Sequence, residues 1–435
     1  MRFYSTNNPD VTVSAEEALF HSMPADNGLY MPAVVPYRNA SFVDHIAEGS
    51  LADIAFEISR LYFGDTVPDH ALADLVQQAF PFDTPVYELE KARKYVLELF
   101  HGPSLAFKDV GARYMAAFMS YFSQKTDKEI NILVATSGDT GGAVAMGFHN
   151  VEGVRVSILY PKNRVSDLQE KQLTTLGGNI QAFEVDGSFD DCQAIVKTAF
   201  LDEELNKVLS LSSANSINIF RLIPQSFYYF RAYGQLKQVG TPIVFSTPSG
   251  NFGNLSAGVL AQRMGLPIRK FVAATNLNNV VPNFLVSGLY EPKESVSTIS
   301  NAMDVGNPSN FVRLCHLYGN DLDTIKQNID GYFYTDDETK MAMQQIYQQY
   351  SYMACPHTAV GIKGLEHYLE NDGQACGVAL ATAHPSKFKP LVESVLGRPV
   401  DVPERLARLA ERTKQAVAIP ANFFAFKESL LQTVA

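Results

Sequence analysis

A chain of 435 residues is longer than one hydrophobic core usually serves, so several packed units are expected within one polypeptide. Its 46% hydrophobic and 19% charged residues exclude a disordered composition. Its formal net charge of -11 argues against the clustered cations that nucleic acid or an anionic membrane would require. No apolar run approaches the roughly 18 residues of a spanning helix. The N-terminal MRFYSTNNPD lacks the charged-then-apolar order of a signal peptide, so a cytoplasmic location is expected. The cysteines Cys192, Cys315, Cys355 and Cys376 are widely spaced, which predicts free thiols. Cys355-Pro356-His357 has no further ligands nearby, so no metal is expected.

In chain order, the first 85 residues carry helical patches at Ala15–Phe20 and Leu51–Tyr62 and turn residues at Pro32, Pro36 and Pro68, which predicts an added N-terminal unit. From about residue 130 to 275, short β-branched runs alternate with segments of helical spacing, the pattern of parallel strands joined by crossover helices. Strands are predicted at Ile130–Val134, Val154–Leu159, Ile180–Val185 and Val208–Leu211, with another starting at Ile243–Phe245. Between them the spacing predicts helices opening at Gly141–Phe148, over Ser166–Leu176 with a stop at Gly177-Gly178, and over Asp190–Leu201. A long aromatic-rich helix is predicted over Ile219–Leu236 and another over Asn254–Met264. Beyond residue 276 the pattern is helical and irregular, with turns near Asn278–Asn283 and Asn307–Ser309, before a last apolar strand at Gly377–Ala381. The class is α/β.

Three segments lie at element ends where open α/β sheets bind ligands. In His101-Gly102-Pro103-Ser104-Leu105-Ala106-Phe107-Lys108-Asp109-Val110-Gly111, a lysine follows an apolar triplet and precedes a helix. Burial disfavours its ammonium form, and a neutral amine is what attacks an aldehyde; a snorkelling lysine at a helix start is the plainer alternative. Thr136-Ser137-Gly138-Asp139-Thr140-Gly141-Gly142 offers hydroxyls and N–H groups at a helix N-terminus, either to hold a carboxylate or simply to make a tight turn. Ser249-Gly250-Asn251-Phe252-Gly253-Asn254 is a glycine turn able to close around a phosphate. Walker and dinucleotide fingerprints are missing.

Together and in this order, the three segments resemble fold type II pyridoxal-phosphate enzymes, which are tryptophan synthase β-like with parallel sheets flanked by helices. Within them the chain resembles the threonine synthase family, through the lysine segment, Tyr4-Ser5-Thr6 and Asp26-Asn27-Gly28-Leu29-Tyr30. The resemblance implies pyridoxal 5'-phosphate as cofactor, Lys108 as its Schiff-base residue, and Gly250, Asn251, Phe252, Gly253 and Asn254 around its phosphate. It implies that Thr382, in Ala381-Thr382-Ala383-His384-Pro385, meets the pyridine nitrogen, and that Asp139 approaches the phenolic oxygen. The family often has Asn where this chain has Asp139; an ionised carboxylate there would repel a phenolate unless protonated, turned away or offset by a donor.

The segment Ser213-Ala214-Asn215-Ser216-Ile217-Asn218-Ile219-Phe220-Arg221 is similar to the one that receives the substrate phosphate in that family. Asn215, Ser216 and Arg221 would bind it, unless Asn218 is merely an N-cap and Arg221 a surface residue. Thr136, Ser137 and Thr140 would line the amino-acid end. The implied activity is conversion of O-phosphohomoserine and water to threonine and phosphate by a lyase, with a phospho-lyase, a dehydratase or a silent binder as rivals. Expected units are an N-terminal one at 1–85, a mobile one carrying the lysine at 86–240, and a large one at 241–435. A monomer or small homo-oligomer is expected.

Overall fold

The computed structural model describes residues 1–124 and 129–434. Strands β1 (Phe3–Ser5), β2 (Thr12–Val13) and β3 (Tyr30–Pro32) form an antiparallel sheet in the order β2-β1-β3. Three helices follow, at Ala40–Ala47, Leu51–Phe63 and Asp69–Ala79. The second starts where Ser50 and Asp53 exchange side-chain and backbone hydrogen bonds, satisfying N–H groups a helix start leaves free.

The remaining strands are β4 (Val86–Glu90), β5 (Lys94–Glu98), β6 (Ile130–Ala135), β7 (Val154–Pro161), β8 (Ile180–Asp186), β9 (Ser210–Ser212), β10 (Ile243–Pro248), β11 (Ile268–Thr275), β12 (Ile329–Phe333), β13 (Cys376–Ala381) and β14 (Val417–Pro420). A six-stranded sheet has the order β12-β11-β10-β13-β5-β4, and a five-stranded sheet the order β14-β8-β7-β6-β9. Pairing in both is parallel except between β4 and β5. Strands β6, β10 and β13 are buried along their whole length, as helices on both faces of a parallel sheet require.

The helix Lys108–Ser123 joins the two sheets' territory to the N-terminal unit through aromatic packing. Phe63 lies 5.1 Å from Phe118 and 4.8 Å from Phe220, ring centre to ring centre, and Tyr114 lies 4.5 Å from Phe118. Such pairs add about 0.5–1.5 kcal/mol each beyond burial. The hydroxyls of Ser59 and Tyr114 are 2.7 Å apart, so the one polar end of this cluster is paired. The cluster thereby fixes the helical turn that carries Arg221 against the helix that begins with Lys108.

Several expectations are corrected. The long helix expected over Ile219–Leu236 is broken into helical turns at Ile219–Leu222 and Ile223–Ser226 and a helix at Phe227–Leu236, because Pro224 has no N–H to continue the ladder. Val208 ends a helix at Glu203–Val208, and the strand starts at Ser210. The strand at Gly377–Ala381 is not the last, since β14 follows and pairs with β8. Sheet membership also crosses the expected boundaries: residues 86–98 pair into the six-stranded sheet, and residues 417–420 return to the five-stranded one. The four cysteines are free, and among the described residues no helix is long and apolar enough to cross a membrane.

Candidate active site

Lys108 and Thr382 are brought together by a short pairing of two loops. The Phe107 N–H donates to the Thr382 carbonyl at 2.8 Å, and the His384 N–H to the Leu105 carbonyl at 3.0 Å. Because 382–384 follow β13 directly, this pairing puts Lys108 at the carboxyl end of the six-stranded sheet. The Lys108 side chain keeps a partial opening to solvent, with Nζ 4.6 Å from the Phe107 ring centre. Desolvation lowers its pKa to about 8, with Asp139 opposing the shift and Arg221 and Lys387 adding to it.

Asp139 starts the helix Asp139–Phe148, after β6. Its Oδ1 is 2.7 Å from Lys387 Nζ and accepts from Gln169 Nε2 at 2.9 Å. Burial opposes its charge, yet Lys387 and Lys108 hold the carboxyl below the ordinary range. Of the three alternatives left open for this carboxyl, the structure shows a donor beside it: Lys387, which is 1% exposed. Gly138 makes room for Gln169: at φ +135°, an added Cβ would lie 2.6 Å from the Gln169 carboxamide.

Thr136 is turned inward. Its hydroxyl accepts from the N–H groups of Gly138 at 3.0 Å and Gly141 at 2.8 Å, so it shapes the turn and satisfies the helix start. Ser137 and Thr140 keep partial exposure at the same turn.

The Gly250–Asn254 loop leads into the helix Gly253–Arg263, whose N-cap Phe252 has φ +59° and makes no side-chain cap. Its asparagine side chains hold the loop together. Asn254 Oδ1 accepts from the Ser249 hydroxyl at 2.9 Å while its Nδ2 donates to the Pro248 carbonyl at 2.9 Å. Asn251 Nδ2 donates to Ser216 Oγ at 2.6 Å, and its Oδ1 accepts from the Ser309 N–H at 2.6 Å. The backbone N–H groups at the helix start are what remains for an anion.

That start fits a phosphate. An added Cβ on Gly253 would meet nothing nearer than Asn310 Nδ2 at 3.6 Å, and this buried amide nitrogen has no partner. Gln225 Oε1 is likewise buried and unpaired. Buried unpaired polar atoms around an uncapped helix end are costly unless a ligand uses the site. The residues present therefore suit pyridoxal phosphate, with Lys108 as the amine.

Arg221 is buried against this region, and its pKa falls to about 10 through desolvation, with Asp109 opposing. Its guanidinium donates to the Ala214 carbonyl, while Nε is unpaired. Gly111 admits it, since an added Cβ would lie 2.8 Å from Nε. Asn218 is indeed an N-cap, accepting from the Phe220 N–H at 2.9 Å, but Arg221 is not a surface residue. Asn215 and Ser216 lie partly exposed on the preceding loop.

Arg313 and Lys387 were missed by sequence reasoning. Arg313, wholly buried, donates to the carbonyls of Tyr30 (3.0 Å), Ser216 (3.1 Å) and Ile217 (2.6 Å) and to Asn310 Oδ1 (2.8 Å), and desolvation lowers its pKa to about 9. It ties the N-terminal unit to the Asn215–Ser216 loop and to Asn310. Its signal in the sequence is only a cation inside the apolar run Phe311–Leu317. For Lys387 the signal is its place three residues after His384, in the segment that carries Thr382.

Known proteins resemble the chain over nearly its whole length. Residues 79–380 match the family described as pyridoxal-phosphate dependent enzyme, residues 2–80 the threonine synthase N terminus, and residues 358–429 the threonine synthase C-terminal region. The chain is 42% identical to threonine synthase from Escherichia coli (strain K12) over 432 residues, covering 99% of each. The crystal structure of threonine synthase from Escherichia coli superposes with a TM-score of 0.93 at 41% identity, covering 100% of both chains. A pyridoxal-phosphate-bound threonine synthase from Brucella melitensis gives 0.94 at 33% identity, covering 99% of both.

Proposed function

Since the chain belongs to the threonine synthase family of pyridoxal-phosphate-dependent enzymes, we propose that it converts O-phospho-L-homoserine and water to L-threonine and phosphate, the last step of threonine biosynthesis. The observation that carries this reading is Arg221. A buried guanidinium within electrostatic reach of Lys108, with Nε unpaired and a backbone carbonyl for partner, suits a phosphate-bearing substrate. A dehydratase substrate, with a hydroxyl in place of the phosphate, would leave that cation buried and unmatched.

When bound, pyridoxal phosphate supplies the electron sink for charge that develops at the substrate carbons. In this reading Lys108 would carry it, the N–H groups of Gly250–Asn254 would hold its phosphate, and Thr382 would meet its pyridine nitrogen with a hydroxyl, which does not enforce a protonated ring. Asp139 would lie on the phenolic-oxygen side. With substrate bound, the Lys108 amine would take the proton from the α-carbon and relay protons at the β- and γ-carbons. A pKa of about 8 poises it between base and acid at neutral pH. Arg221, Asn215 and Ser216 orient the phosphate that leaves the γ-carbon, and water adds at the β-carbon. Ser137 and Thr140 line the amino-acid end, with Thr136 holding their turn.

The same reading assigns the N-terminal unit, 1–85, to bracing the substrate loop through Arg313. It assigns closure over the substrate to the unit built on the five-stranded sheet, most of which lies within 86–240 and which β14 completes, packed on the unit built on the six-stranded sheet.

The test is incubation of cofactor-loaded protein with O-phosphohomoserine, with phosphate release and the organic product followed together. Threonine equal to phosphate is the expected outcome. Phosphate with a 2-oxo acid would move the assignment to a phospho-lyase, and no phosphate release would overturn the substrate.

A further inference from the structure

Lys387 is buried and uses its ammonium entirely within the protein. Nζ lies 2.7 Å from Asp139 Oδ1, 3.0 Å from the Ser104 carbonyl and 3.0 Å from Gln172 Oε1. Gln172 also donates to the Ser104 carbonyl at 3.0 Å, and Gln169 to Asp139. The four elements so joined are the loop before Lys108, the turn after β6, the helix Asp167–Thr174 and the segment after β13. The pair thus spans the two sheets beside the reactive lysine. A buried ion pair is a poor source of stability, because desolvation offsets most of its attraction, but a lone member is strongly unfavourable. Each partner here requires the other.

We propose that Lys387 is a positioning residue for the reaction: with Asp139 it forms a buried, self-neutralising ion pair that lets a carboxylate occupy the cofactor's phenolic-oxygen side without presenting a net negative charge. The inference rests on the placement of Asp139 in the reading above. Asp139 and Lys387 then do jointly what a neutral amide would do alone, and removing one changes the charge felt at Lys108 while removing both does not.

The other groups facing the pair leave that balance in place. Burial holds His357 neutral by lowering its pKa to about 4, and its Nε2 accepts from the Ala302 N–H at 3.2 Å. Burial also raises the Cys355 thiol, keeping it neutral. Asp109, its pKa raised by burial to about 6, accepts from the Ser104 N–H, and Arg221 acts on Lys108 in all forms compared.

The experiment is a spectral titration of the cofactor-loaded protein, read as the pH midpoint of the visible absorbance, alongside thermal unfolding of the cofactor-free protein. Asp139→Asn leaves Lys387 uncompensated and moves the midpoint to lower pH, because an added cation disfavours a second one. Lys387→Met leaves the carboxylate uncompensated and moves it to higher pH. Each shift is at least about one pH unit, as expected for a charge within about 4–6 Å. The double variant returns towards the parent midpoint and recovers most of the unfolding temperature lost by either single variant. If Lys387→Met does not fold, Lys387→Arg must keep the parent midpoint while Asp139→Asn shifts it. Additive unfolding effects would overturn the pair, and unmoved midpoints in the single variants would overturn its role towards the cofactor. Neither result bears on the identity of the product, which decides the reaction separately.

Discussion

The two sides of the site handle buried charge in opposite ways. Around Asp139 the charges are complete: the carboxylate, Lys387, Gln169 and Gln172 satisfy one another before any ligand arrives. Around Arg221 and Arg313 they are not. Both guanidiniums are buried with carbonyl or amide oxygens for partners, and the nearby Asn310 Nδ2 and Arg221 Nε have none. A region that must meet an aromatic ring gains from neutrality, whereas a region that must take phosphates gains from positive charge awaiting an anion. In the proposed reading, the difference separates a tuned chemical centre from a binding centre.

The largest break comes at Lys108 itself. Lys108→Ala should lower kcat by at least about 10³-fold, since a positioned general base alone contributes about 10²–10⁴-fold. Absorbance of the covalently held cofactor should vanish with it, and retained turnover would remove Lys108 from the chemistry. On the binding side, Arg221→Ala should lower kcat/KM for O-phosphohomoserine about 100-fold, equivalent to about 2.8 kcal/mol. An unchanged kcat/KM would place the phosphate elsewhere.

A milder test needs no ligand chemistry. If the arginine side is charge-incomplete, inorganic phosphate should raise the unfolding temperature of the cofactor-free protein, by an amount equivalent to about 2.7 kcal/mol at 100 times its dissociation constant. The gain should shrink in Arg221→Ala, whereas equal stabilisation of the variant would show that the arginine does not take the anion.

The same contrast explains what could be read in the sequence. Strands β6 and β7 were visible because burial of nearly every position gives them largely apolar runs, and β8 because apolar residues recur along it between partly exposed Gln181 and Glu184; the loops at their ends could be placed once the strands were. Asp139 stands in such a loop, after β6, whereas Lys108 was read from the apolar triplet before it and Arg221 from the polar turn that leads into the aromatic segment. The partners that complete or brace the site were not visible: Lys387 and Arg313 act on residues far away in the chain, and a lone cation in an apolar run does not name its partner. Likewise Asn251 and Asn254 were expected around the cofactor phosphate, whereas their side chains close the loop. Pairing of β4 and β5 into the larger sheet is non-local, and local periodicity carries no trace of it.

The smallest expected effect lies at Asp109, between the two sides. Its Oδ2 accepts from the Ser104 N–H at 2.8 Å on the lysine side, while its charge acts on Arg221. Burial raises its pKa to about 6, with Ser104, Lys387 and Arg113 pulling the other way. A carboxyl whose folded pKa exceeds its unfolded value of about 4 binds its proton more tightly when folded. Its contribution to stability is therefore complete below about pH 4 and is lost as the pH rises through 6. Asp109→Asn keeps the acceptor for Ser104 and removes that loss. The difference in unfolding temperature between variant and parent should thus rise in favour of the variant from pH 4 to pH 6 and level off above it. A difference that falls with pH would mean that the ionised carboxylate is stabilised by Arg221 and Lys387, and that the two sides share charge instead of holding it separately.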